Sequence, residues 1–203
     1  MPPQRLRQQE VVEILRPHYD RLWRIAVLPF YEYQEKYPNT SIHSLRTRAN
    51  IIHDLMVHRA RLEFTDKVND TRIIDLPHPN SRTLLEINQR ILLRFKKLDE
   101  SKQSRNYPTR FIHDYELDNE LPGIPPRAHR MTLGYILNLF ETEVQRVLVT
   151  STLGRRIEYD VELYIPNDKL ISIADAATTQ SDGKRPRRLV RVRVTEQREL
   201  GKE

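Results

Sequence analysis

Apolar side chains return every three or four positions along the first third of the chain, and that period predicts helices. QQEVVEILR, residues 8–16, reads as a short helix that Pro17 interrupts or passes to a second one, because proline suits a first helical turn and not an interior. Tyr19, Leu22, Trp23, Ala26, Val27 and Phe30 then fall on one face of a helix in which Pro29 is the expected kink. Pro38 and Asn39 stop it, and Thr40 or Ser41 is the expected N-cap of a third helix. In that helix Ile42, Leu45, Ala49, Ile52, Met56 and Ala60 form a single apolar stripe.

The pattern changes near residue 70. DLPHPNSRT is turn-like, and in LLEINQRILLRFKKLD, residues 84–99, apolar Ile91, Leu93 and Phe95 alternate with basic Arg94 and Lys96, which suits a strand with one wetter face. A helix is the rival reading for the first half of that stretch. Residues 109–120 fit a short helix behind Pro108, and LPGIPP, 121–126, is a stiff connection that fixes how the chain enters the sheet. HRMTLGYILN, TEVQRVLVTS and RRIEYDVELYI then read as strands, the last two joined by a hairpin turn at Gly154. Helices followed by antiparallel strands predict an α+β fold, with N-terminal helices packed on a mainly antiparallel sheet. The expected layout is one domain over residues 1–171, helical across 8–66 and sheet-rich across 84–165, then a linker and basic tail over 172–203.

Composition narrows the class. No run of about 18 apolar residues exists to span a bilayer, and the N-terminus has no apolar segment of the signal-peptide kind, so a cytoplasmic chain without membrane contact is expected. The absence of cysteine removes disulfides, thiolate metal sites and cysteine nucleophiles together. A net charge of +6 favours anionic partners, nucleic acid or acidic protein. Neither Gly-rich phosphate motif, G-x-G-x-x-G or G-x-x-x-x-G-K-[ST], is present, and no cofactor is expected.

Charge is concentrated in two places. RFKKLDESKQSRNYPTR, residues 94–110, holds Arg94, Lys96, Lys97, Lys102, Arg105 and Arg110 against Asp99 and Glu100, with Tyr107 among them. Cations neutralise phosphates and aromatics stack on unpaired bases, so the combination suits a single-strand binding surface, against the common alternative of a solvated loop. The tail adds Lys184, Arg185, Arg187, Arg188, Arg191 and Arg193, alternating at its end with Val190, Val192 and Val194, as an arm for phosphate or a strand for another subunit.

Catalytic patterns are sparse. Glu158, Asp160 and Glu162 alternate along one strand and could hold a hard cation, although an outward hairpin face explains them as well. His113, Arg110 and Tyr107 could serve metal-free RNA cleavage, with histidine as base and arginine steadying the phosphorane. His53 and His58 are five apart, which misses the spacing of a helical zinc pair, and no G-x-S-x-G elbow is present.

LLRFKKLD, SRNYPT and LPGIPP, followed by a strand containing GY and a strand containing VLVT, resemble a group of bacterial mobile-element proteins encoded beside helix-turn-helix regulators. The resemblance spans residues 84–163 and implies a two-gene module of toxin-antitoxin or phage-defence character, with no activity attached to particular residues. The first expectation is a binding protein for nucleic acid or a DNA-associated regulator, with no chemistry required. A toxin-like, metal-independent ribonuclease and an assembly protein forming a homo-oligomer or regulator complex through its C-terminal strand are the alternatives.

Overall fold

A computed structural model describes residues 5–39, 42–65, 70–77, 82–104, 109–154 and 156–164. The chain divides into Met1–Ile165 and Pro166–Glu203. The tail arginines Arg185, Arg187, Arg188, Arg191 and Arg193, with Arg105 and Tyr107, lie outside the described residues.

Helix α1, Gln8–Leu15, ends in a single 3-10 turn, Arg16–His18, with Pro17 in its first positions where the missing N–H costs nothing. Helix α2, Tyr19–Lys36, follows directly and continues past Pro29. Helix α3, Leu45–Glu63, begins later than the sequence pattern suggests, because Ser44 is the N-cap and its hydroxyl accepts from the Thr47 N–H. Ile52, Met56 and Ala60 are buried as expected, whereas Ile42 and Leu45, at the head of the stripe, are exposed because they precede the part of α3 that meets the core.

Six strands follow in sequential order: β1 Thr71–Leu76, β2 Arg82–Ile87, β3 Ile91–Leu98, β4 His129–Leu137, β5 Val144–Leu153 and β6 Arg156–Glu162. All neighbours are antiparallel except β3 and β4, which run parallel because α4, Arg110–Glu116, lies in the connection between them. The fold is therefore α+β with a mainly antiparallel sheet. The stretch read as one strand over 84–99 is a hairpin, whose turn puts Asn88 and Gln89 at φ of 51° and 55°; both central residues in the left-handed region match the strand twist. The β5–β6 hairpin turns at Gly154, φ 58°.

The odd-numbered side chains of β3 and β4, Ile91, Leu93, Phe95, Met131, Leu133 and Tyr135, pack against Leu22, Phe30, Ile52 and Met56 in the main core. Their even-numbered neighbours face α4, which closes a smaller core of Leu84, Leu92, Phe111, Tyr115, Ile124 and Ala128. The sheet thus has one face under α1–α3 and one partly covered by α4. No helix among the described residues is long and apolar enough to cross a membrane.

Candidate functional site

Strand register lines up a polar row on the α4 face. Arg94 of β3 is opposite Thr132 of β4, Thr132 is opposite Thr150 of β5, and Thr150 is opposite Asp160 of β6. Residues in register share a sheet face, so the four side chains stand side by side. Arg94 Nε donates to Thr132 Oγ1 at 2.8 Å and Nη2 donates to Glu116 of α4 at 2.8 Å, while the guanidinium lies 5.0 Å from the Tyr115 ring centre. At the far end Lys102 Nζ meets Asp160 at 2.6 Å. Between Arg94 and Lys102 opens a cleft of about 290 Å³. Thr132, Thr150 and Thr152 supply hydroxyls to it, and Leu98 and Ile112 supply apolar walls.

The basic stretch does not form one free surface in its described part. Four of its five described cations face a carboxylate: Arg94 has Glu116, Lys97 has Glu141, Lys102 has Asp160 and Arg110 has Asp114. Arg94 is buried, which a residue in a solvated loop would not be. Lys97 points to the opposite side of β3, where Arg48 of α3 also holds Glu141, at 3.1 Å. The sequence shows an excess of cations because these partners lie elsewhere along the chain.

Lys96 is the exception. Its Cα lies between those of Arg94 and Leu98 on the same face of β3, and it forms no ion pair or hydrogen bond with a described residue. Burial, then the charges of Arg94 and Arg82, push its amine down to about 8. Arg82 of β2, which sequence reading did not single out, is the second such cation. Its guanidinium rests 4.6 Å from the Phe111 ring centre, no carboxylate of a described residue pairs with it, and burial followed by Arg94 lowers its pKa. The β2–β3 ladder has three pairs, Leu85 with Leu93, Glu86 with Leu92 and Ile87 with Ile91. From Arg94 onward the described residues of β3 have no ladder pairing on the β2 side, and along that stretch Lys96 lies close enough to Arg82 to feel its charge. His53 of α3 senses both charges, and its pKa is lowered by burial and then by Lys96, against the opposing pull of Asp54.

The other sequence candidates are separated or satisfied. Glu158, Asp160 and Glu162 are held by Arg5, Lys102 and Arg146 respectively. A bulge between Ser151 and Thr152 also breaks their alternation, because Tyr159 pairs with Ser151 and Ile157 with Thr152, leaving Glu158 unmatched. No group of three or more residues able to hold a metal ion occurs among the described residues. Arg110 and His113 project from α4 with side chains 97% and 70% exposed, and the nearest carboxylate to each is Asp114 at 3.7 Å. No enclosed acid–base pair results.

One arrangement invisible in sequence joins residues 129, 151 and 158. The Leu6 N–H donates to His129 Nδ1 at 3.1 Å, so the ring proton is assigned to Nε2, which donates to Ser151 Oγ at 2.9 Å. Ser151 in turn donates to Glu158 Oε2 at 3.1 Å. A histidine that gives its proton toward serine cannot act as base for it, and both His129 and Ser151 are wholly buried. The network anchors the N-terminal segment: Tyr159 OH donates to the Leu6 carbonyl at 2.6 Å, and Arg5 pairs with Asp118 at 2.7 Å. Comparison with protein-family models, curated proteins and solved structures finds no match.

Proposed function

We propose that this protein binds nucleic acid without chemistry, holding phosphate at Arg82 and Lys96 on the α4 face of the sheet. The observation that carries the reading is the contrast among neighbouring cations. Arg94, Lys97 and Lys102 each receive a carboxylate from the fold, whereas Lys96 and Arg82, near enough for Lys96 to feel the Arg82 charge, have none among the described residues. Like charges gathered in a partly desolvated place repel, and an anion seated between them removes that repulsion while accepting charge-assisted hydrogen bonds. Phosphate oxygens are the natural acceptors for a guanidinium beside an ammonium. Phe111, on which Arg82 rests, and Tyr115, on which Arg94 rests, are both buried, so stacking on bases is no part of the reading.

The test is titration of a labelled single-stranded oligonucleotide with the full chain, read by fluorescence anisotropy at several salt concentrations. Affinity should fall linearly on a log–log plot, with a slope of about −0.7 per phosphate contact for a single strand. Lys96→Met with Arg82→Met should flatten the slope by one to two such contacts. Affinity should also weaken as pH rises through about 8, where the Lys96 amine loses its proton. A slope unchanged in the double variant would remove Lys96 and Arg82 from the binding surface.

A further inference from the structure

We infer that the threonine-lined cleft accepts the nucleoside part of a nucleoside phosphate whose phosphate sits at Lys96 and Arg82. This rests on the phosphate reading above and adds to it a ligand class and a second subsite. Three observations lead there.

The first is charge. The cleft's cations are already balanced, Arg94 by Glu116 and Lys102 by Asp160, so its occupant must be uncharged. Lys96, which has no carboxylate partner among the described residues, borders it by its place on β3 between Arg94 and Leu98, two residues that line the cleft. A molecule with one anionic end and one neutral, polar end matches that division. The second is unsatisfied hydrogen-bonding capacity. Thr132 Oγ1 already accepts from Arg94, but the Thr150 hydroxyl makes no hydrogen bond with a described residue, although Thr150 is only 1% exposed and lines the cleft. A buried hydroxyl without a partner is costly, and one facing an open cleft is available to a ligand's hydroxyl or ring nitrogen. The third is size and wall chemistry. About 290 Å³ falls just below the roughly 300–1,000 Å³ typical of drug-sized small-molecule sites. That volume admits a single sugar-and-base unit, and Leu98 and Ile112 offer it apolar surface.

A broader depression of about 550 Å³, lined by Arg5, Arg7, Gln9, Glu10 and Glu13, does not compete. Its described lining comes from one segment, so among the described residues no second element closes over a ligand there.

The experiment is isothermal titration of the full chain with inorganic phosphate, an unphosphorylated nucleoside, a nucleoside 5′-monophosphate and a short 5′-phosphorylated oligonucleotide. The monophosphate should bind at least about tenfold more tightly than inorganic phosphate, the size of one added set of polar contacts. Thr150→Val, which removes an unpaired hydroxyl and keeps the shape, should bring the monophosphate down to the phosphate level and leave phosphate binding unchanged. Thr152→Val is the second probe of the same wall. Lys96→Met should weaken phosphate and monophosphate together. The oligonucleotide separates a free nucleotide from a strand end as the source: retained sensitivity to Thr150→Val in the oligonucleotide assigns the strand end, and its loss assigns the free nucleotide. Equal binding of phosphate and monophosphate, with no response to either threonine variant, overturns the cleft assignment while the phosphate reading stands. No response to Lys96→Met overturns both.

Discussion

The two faces of the sheet are built from alternate residues of the same strands, yet they are solved differently. Under α1–α3 the side chains of β3 and β4 meet three helices across one continuous apolar layer, in which Leu93, Phe95 and Leu133 are fully buried. Under α4 the apolar surface is split into a cluster around Tyr115 and a separate one of Leu98, Ile136 and Leu148. Arg94, Thr132, Thr150 and the cleft fall between them. A helix of seven residues cannot cover six strands, so the uncovered part of that face must be polar and filled by pairs, or left for a ligand. The helical face provides stability, and the α4 face provides chemistry at the expense of continuity.

The largest expected effect follows from that division. Leu93 and Leu98 stand on opposite faces of one strand, both nearly inaccessible, at 0% and 2% exposure. Leu93→Ala should cost about 4 kcal/mol, because a closed layer leaves a cavity that cannot refill, and Leu98→Ala about 2 kcal/mol, because its site borders a cleft open to water. Chemical denaturation of both variants measures the difference. Equal costs would mean that the faces are equally well packed, and the comparison would fail.

The helical face was the legible one. Its periodicity marked α1 and α2, and the alternating runs marked β4, β5 and β6, because each of these buries a regular set of apolar positions. Strand β1, Thr71–Leu76, was missed: with a burial pattern open at four central positions it has little apolar alternation to read. The β2–β3 hairpin was read as a single strand because its turn uses Asn88 and Gln89 without glycine. Parallel pairing of β3 with β4 was not foreseen, since it depends on where α4 docks. The α4 face could not be read locally, because charge pairing joins distant residues. Lys102 and Asp160 are 58 positions apart, and Arg94 and Glu116 are 22 apart. The lowered pKa of Lys96 depends partly on Arg82, which no local pattern connects to the basic stretch.

Glu116→Gln should have the next largest effect. It strands Arg94, whose side chain is 8% exposed, without its carboxylate, and breaking such a buried pair costs about 3 kcal/mol. Glu141→Gln is the matched control: that carboxylate is also held by two cations, Lys97 and Arg48, but at a more accessible place, so its loss should cost about 0.5 kcal/mol. Adding Arg94→Met to Glu116→Gln should recover most of the loss, since the stranded charge goes with it.

Gly134→Ala is intermediate and probes how tightly the α4 face is built where it is apolar. A Cβ at Gly134 would lie 2.5 Å from Leu98 Cγ and 2.7 Å from the Lys96 carbonyl oxygen. The leucine can swing toward the cleft, but the carbonyl belongs to the β3–β4 ladder and cannot. A cost of about 2 kcal/mol is expected, together with weaker nucleoside binding as Leu98 is displaced toward the cleft. Thermal denaturation and the monophosphate titration read the two consequences separately.

The last effect has the opposite sign. Lys96 is a cation that folding places near the charges of Arg94 and Arg82, with no acid paired to it among the described residues. Its pKa falls from an ordinary 10.5 to about 8, so the unfolded chain binds this proton more readily than the folded one. The contribution of the group to stability is fully present above pH 10.5, declines as pH falls through 8, and is absent at neutral pH. Lys96→Met should therefore stabilise the ligand-free protein at pH 7 by about 1 kcal/mol, and should remove the rise in stability that the unaltered chain shows between pH 8 and 10. Burial and the Lys96 charge push the His53 imidazole below its ordinary range, so it loses its proton below that window, and comparison with Lys96→Met isolates the lysine's part of the rise. A variant that gains stability while losing phosphate affinity would place the cost of the unpaired amine and its use in one residue. A variant that loses stability would instead mean that the Lys96 side chain is held by the fold, and the α4 face would then be as fully satisfied as the helical one.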